Sequence, residues 1–142
     1  MIRRSSCAAL AALSLTLVAP ALAALKPTVR IAAFRVVLPD GRDPPPPLLR
    51  SKAYSYLVEY QIGGQGVLRV TRAATVISPA GVAARVRPPA SSADPGRFRA
   101  SARIRIGPDD PPGVYLLRYT IVARDPDGGV ARRRRDLRVR FR

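Results

Sequence analysis

Arginine is the one chemically capable side chain that this sequence offers in quantity. Arg132-Arg133-Arg134-Arg135 is the densest run of charge, and Arg97, Arg99, Arg103 and Arg105 form a row that alternates with Phe98, Ala102, Ile104 and Ile106. A guanidinium presents a planar fork of donors that pairs two phosphate or carboxylate oxygens at once, whereas an ammonium acts as a point charge. The run and the row, Arg99, Arg103 and Arg105 above all, are therefore candidate anion-binding groups. Solubility and edge protection compete with that reading, because cations on an exposed strand discourage other strands from pairing with it. In a regular strand two arginines of the run would face the core, at a high cost for unpaired charge. The run is accordingly expected in a hairpin beyond the sheet or at a bulged edge. No aromatic residue shares the outward phase of the row, as it would on a base-stacking platform, so specific nucleic-acid binding is not expected.

Other chemistry is scarce. The chain has no histidine, and Cys7 and Met1 are its only cysteine and methionine. The usual general bases, thiolate nucleophiles and zinc ligands are thus missing. Ser51-Lys52 is adjacent in sequence, but neighbours on an extended segment point to opposite sides. No catalytic residue, cofactor or metal site is expected, and the chain is read as a non-enzyme. Its loop aspartates fall into two groups, Asp40 and Asp43 with Asp109 and Asp110 at one end, and Asp94 with Asp125 and Asp127 at the other. Either group offers oxygen ligands that suit Ca²⁺. Turn formation explains them more simply, since Asp before Pro or Gly bonds to its own backbone, and a positive field opposes cation capture.

The amino end reads Met1-Ile2-Arg3-Arg4, an apolar stretch from Cys7 to Val18, then Pro20-Ala21-Leu22-Ala23. That is the pattern of a signal peptide over residues 1–23, cleaved after Ala23. The expected location is periplasmic or secreted, with one domain over residues 24–142. Cleavage removes Cys7, so no disulfide can form and stability must come from packing. Lys and Arg total 25 against nine Asp and Glu; without Arg3 and Arg4 the net charge falls from +16 to +14. Lys26 and Lys52 are the only lysines. GC-rich codons account for Arg in place of Lys but not for the shortage of acids. A field of this sign attracts anionic partners over a distance that salt shortens.

The elements that must position these charges are strands, because apolar residues recur at period two between Gly- and Pro-rich breaks. Thr28 to Leu38 changes phase near Ala32-Ala33, which implies a bulge. Ala53 to Ile62 sets Tyr54, Tyr56, Val58, Tyr60 and Ile62 on one face. Val67 to Ile77 follows, then the turn Ser78-Pro79-Ala80-Gly81, a short strand through Val82, Ala84 and Val86, and a loop from Pro88 to Gly96. The arginine row comes next, from Phe98 to Ile106. Val114 to Arg124 is apolar on both faces and reads as a central strand, and after Asp125-Pro126-Asp127-Gly128-Gly129 the chain returns through Leu137, Val139 and Phe141. Pro44-Pro45-Pro46-Pro47 is a rigid spacer. About seven strands with no helical periodicity imply an all-β, immunoglobulin-like Greek-key β-sandwich. Tyr56, Val58, Tyr60, Ile104, Leu117, Tyr119, Val139 and Phe141 are its expected core.

The stretch Asp110-Pro111-Pro112-Gly113-Val114-Tyr115-Leu116-Leu117-Arg118-Tyr119, with Asp125-Pro126-Asp127-Gly128, resembles the closing hairpin of bacterial exported immunoglobulin-like modules of the fibronectin-III kind. The resemblance covers about a third of the chain and implies architecture, since such sandwiches host unrelated functions. It also implies that Tyr115 caps the preceding corner through its hydroxyl. The same ending is similar to exported copper-resistance sandwiches, which bind copper through histidine; with no histidine here, that function does not carry over. The expectation is a non-enzymatic binding or structural module of the cell envelope. Its partner would be a protein or an anionic envelope polymer, with peripheral membrane contact open to it. The alternative is an accessory or chaperone-like subunit of an envelope or secretion assembly.

Overall fold

The computed structural model describes residues 25–142, so the signal-peptide reading of residues 1–23 lies outside the described residues. Period-two alternation becomes eight strands: β1 (Thr28–Val37), β2 (Tyr54–Gly63), β3 (Leu68–Ile77), β4 (Ala83–Val86), β5 (Ser91–Ala93), β6 (Gly96–Ile104), β7 (Gly113–Arg124) and β8 (Val130–Phe141). They pair in two sheets, β1-β2-β6 and β4-β3-β7-β8, with β5 also on β3. All the strand pairs are antiparallel. The chain changes sheet between β2 and β3, β5 and β6, and β6 and β7. The fold is a β-sandwich.

Between the sheets the inward phases of the strands interdigitate. Val58, Leu68 and Ile121 are wholly enclosed, and Leu117, Ile62 and Phe141 are nearly so. Each such side chain contributes about 1.5–3 kcal/mol of burial. Two aromatic clusters fill the widest parts. Tyr119 lies 6.1 Å from Phe34 and 5.8 Å from Tyr56, while Phe141 lies 5.8 Å from Tyr54 and 5.5 Å from Tyr115 between ring centroids. All five tyrosines are buried. Of the expected core only Val139 is half-buried, because β8 is an edge strand and one flank of its inward face lies open.

The phase change in β1 is a bulge, where the register shifts between Ile31 and Ala33. The Tyr115 hydroxyl donates to the Pro111 carbonyl at 2.6 Å and so ties the corner into β7. The long connection from β1 to β2 folds over one end of the sandwich. Arg142 N–H donates to Leu48 O, Arg50 N–H donates to Arg142 O, and the Arg50 guanidinium reaches the carbonyls of Pro108 and Asp110.

Two expectations need correction. The Pro88–Gly96 stretch is not wholly loop, for Ser91–Ala93 pairs with Leu68–Val70 as β5, which makes eight strands rather than seven. Three small residues carry no periodic pattern, and the pairing comes from the free edge of β3. The arginine run lies neither beyond the sheet nor at a bulge of its own strand. Arg132 to Arg135 pair in unbroken register with Val122 to Tyr119.

Candidate anion-binding surface

The register of β8 decides where each arginine of the run points. Arg132 and Arg134 stand opposite Val122 and Thr120 and turn outward, while Arg133 and Arg135 stand opposite the buried Ile121 and Tyr119 and take the inward phase. All four remain exposed. The inward pair avoids the core because β8 is the sheet edge and faces a seam beside the β1 bulge. There Arg135 donates to the Ile31 carbonyl at 3.3 Å. The desolvation cost that argues against a regular strand is thereby escaped without leaving the ladder.

On the outer face of the larger sheet, Arg132 rims a shallow hollow of about 340 Å³ whose opposite rim is Arg85 and Arg87. Its floor is formed by Thr71, Arg72 and Ala73 from β3 and by Thr120 and Val122 from β7, with Arg72 in the inward phase of its strand. Arg134 stands beside Thr120 at the margin. No carboxylate lines this hollow. Asp136 is the one acid on the strands of this sheet, and it is engaged: Arg118 Nε and Nη2 donate to its two oxygens at 2.9 and 3.1 Å, and Arg134 lies 3.8 Å away. The fork of Arg118 holds the Asp136 carboxyl below the usual aspartate range. Arg69 and Arg124 face one another directly on β3 and β7. Like charges opposite each other are unfavourable in a sheet unless an anion lies between them.

The other arginine set is elsewhere. Arg97, Arg99 and Arg103 turn outward from β6 on the smaller sheet, opposite Gln61, Glu59 and Ser55, and Arg105 lies just past the strand end. The hollow on that face is larger, about 520 Å³, and is lined by Arg30, Glu59, Arg97 and Arg99 with the edges of Tyr60 and Phe98. Glu59 accepts a bond from Arg99 at 2.9 Å, so this hollow already contains an anion. The run and the row thus belong to different sheets and do not form one site. Arg85 and Arg87, which complete the acid-free hollow, were not singled out from sequence; one lies in a four-residue strand and the other just past it, and their spacing does not reveal which face they share with Arg132.

Three of the seven loop aspartates perform turn chemistry. Asp40 accepts from Arg42 N–H and Nε, Asp110 from Gly107 N–H, and Asp125 from Gly129 N–H. The Asp40 carboxyl is held low chiefly by that backbone bond. Among the described residues no three His, Cys, Asp or Glu side chains gather as a cation site, and no helix is long and apolar enough to cross a membrane. Seven of the nine acids sit in loops and only Glu59 and Asp136 on strands, which leaves both sheet faces basic.

No protein-family profile matches this chain. No curated protein matches it either. Among solved structures, the C-terminal domain of wzt aligns with a TM-score of 0.53 at 14% identity, covering 80% of this chain and 73% of that one. ApaA from Bordetella pertussis aligns with a TM-score of 0.48 at 16% identity, covering 83% of this chain and 95% of that one. At such identities the likeness to the wzt domain concerns the fold alone.

Proposed function

We propose that this chain is a non-enzymatic binding module of the cell envelope, exported by removal of residues 1–23, whose larger sheet holds a linear anionic polymer across its outer face. The observation that carries the reading is the hollow between Arg85, Arg87 and Arg132, which is basic on both rims and free of carboxylates. A strip of this kind suits a chain of phosphates or carboxylates better than a compact anion, because the forks stand on strands at opposite sides of the sheet. We further assign the sandwich to the immunoglobulin-like class of the fibronectin-III kind. That assignment is supported by the three-stranded sheet facing the larger one, by the three crossings between them and by the Tyr115 corner.

The test exploits the alternation of β8. Arg132→Ser with Arg134→Ser, and Arg133→Ser with Arg135→Ser, remove equal charge from opposite sides of one strand. Binding to a sulfated dextran and to vesicles with and without phosphatidylglycerol is measured through a salt titration. The outward pair is expected to lose affinity and to reduce the salt slope by about two charges, and the inward pair to lose much less. An Arg132→Lys, Arg134→Lys protein keeps the net charge but should bind a polyphosphate more weakly than the parent. Equal losses from the two Ser pairs, or a Lys protein indistinguishable from the parent, would reduce the surface to general electrostatic adsorption and overturn the reading. Binding to the vesicles alone would replace the polymer with a lipid surface.

A further inference from the structure

The two long sides of the sandwich end differently. On one side β1 and β8 meet: β1 is bulged, Arg135 occupies the carbonyl of Ile31, and charge runs along β8. Bulges and inward-phase charges are devices that stop another strand from adding to an edge. The opposite side has neither. There β6 is the last strand of its sheet, and its register with β2 is unbroken from Ile104 at one end to Gly96 at the other. It contains no proline, and its inward residues Phe98, Ala100, Ala102 and Ile104 carry no charge.

Facing β6 across the gap is β4, all four of its residues exposed, and the two strands do not pair. Between them runs an apolar groove of about 460 Å³, lined by Ala74, Val76, Ala84 and Val86 from one sheet and Ala102 and Ile104 from the other. Val86 is 60% exposed. The groove exists because alanine stands at 74, 84 and 102, where bulkier side chains would fill the space between the sheets.

We propose that this side receives an extended segment of a partner protein, which adds to β6 as the next strand, turns apolar side chains into the groove and sets acidic side chains against Arg97, Arg99 and Arg103. On an antiparallel edge every second residue directs both its N–H and its C=O away from the sheet, so the backbone of β6 offers a ready ladder. Strand addition draws affinity from that ladder and specificity from the alternate side chains. The outward arginine row selects their charge, since opposite charges directly across a ladder attract and like charges repel. A second copy of this chain is the wrong occupant, because β6 against β6 would set one arginine row upon the other. A free acyl chain would fill the groove but leave the β6 backbone unpaired.

The test uses labelled peptides of about eleven residues: one alternating valine with glutamate, an isomer with the same residues in two blocks, and one alternating valine with lysine. Anisotropy with the full domain reads affinity, and amide exchange reads location. The alternating acidic peptide should bind at least about tenfold tighter than the other two and slow exchange along β6. Ala84→Lys, an exposed position pointing into the groove, should cost about tenfold, and Arg97→Glu, which is not part of the groove's lining, should shift preference toward the lysine peptide. Equal binding of the acidic peptide and its isomer, protection on another strand, or variants that bind like the parent would overturn the proposal. So would a fatty acid that fills the groove while no peptide binds, or self-association that protects β6 without any peptide.

Discussion

Tyr119 is enclosed between the sheets, and burial pushes its ionisation up to about 12 despite the nearby Arg72 guanidinium. Tyr56 is raised for the same reason. In the unfolded chain a tyrosine ionises near 10, so between about 10 and 12 the unfolded state releases a proton that the folded state retains. A folded pKa raised in this way contributes stability that is complete below pH 10 and lost as pH climbs. Denaturant midpoints are expected to fall through that window, and Tyr119→Phe to flatten the fall; a parent midpoint constant to pH 12 would refute the assignment. Arg72 is also the residue that sequence reading misses. Alternation through Val70, Arg72 and Ala74 puts it in the inward phase, and an inward arginine looks like an error of phase. β5 pairs only Leu68–Val70 of β3 and β4 only Ala74–Ile77, which leaves the edge of β3 unpaired beside residue 72, although the Arg72 Nε is itself buried without a hydrogen-bond partner. Such a gap is created by other strands and leaves no mark on β3 itself. Tyr115, by contrast, was reached through the resemblance to immunoglobulin-like modules, whose Gly-x-Tyr and preceding prolines are all local in the sequence.

At the scale of elements, local chemistry was legible and lateral neighbours were not. The turns Ser78-Pro79-Ala80-Gly81 and Asp125-Pro126-Asp127-Gly128 announce themselves, and Leu38-Pro39-Asp40-Gly41 repeats their form: in each the glycine N–H bonds back to the carbonyl of the first residue. Proline pre-sets the second position and the glycine takes a positive φ, 82° at Gly81 and 88° at Gly128. Space is not the constraint, because nothing lies within 4 Å of a Cβ built at Gly128. Gly128→Ala therefore isolates the backbone cost, and a loss of about 1–2 kcal/mol is expected in denaturant titrations, with unchanged affinity for anions. A neutral result would mean that the turn relaxes without cost to the β7–β8 pairing. The β1 bulge was equally visible as a slip of phase. Its use was not, since only the assembled sandwich brings Ile31 within reach of Arg135. The same holds for the hollow: the run on β8 was plain in the sequence, but Arg85 and Arg87 join it only because β3 and β7 lie between them.

For the whole molecule the dominant fact is unbalanced charge. All nine acidic residues lie within residues 25–142 together with 23 of the 25 basic ones, which leaves +14 on a small sandwich whose acids are gathered mostly in its end loops. Self-repulsion of this kind weakens the compact state more than the expanded one, because unfolding moves the charges apart. The four surface ion pairs among the described residues oppose it only slightly, since exposed pairs are worth about 0–1 kcal/mol each. Added salt should therefore stabilise the domain. The gain should be concentrated at low ionic strength, where the Debye length falls from about 30 Å at 0.01 M to about 10 Å at 0.1 M and charges on opposite faces cease to interact. Screening and binding can be separated by the choice of anion. Chloride and sulfate compared at equal ionic strength screen alike, but a divalent oxyanion can also pair with the fork of an individual rim arginine, Arg132 among them. The melting temperature is thus expected to rise with either salt and to rise further with sulfate. That extra increment should vanish in Arg132→Ser, Arg134→Ser while the chloride response persists. If the two anions act identically on the parent, the charge excess serves solubility and the hollow binds no oxyanion. If salt lowers the melting temperature, attraction outweighs repulsion, and the ion pairs of Asp136 and Glu59 matter more than their exposure allows.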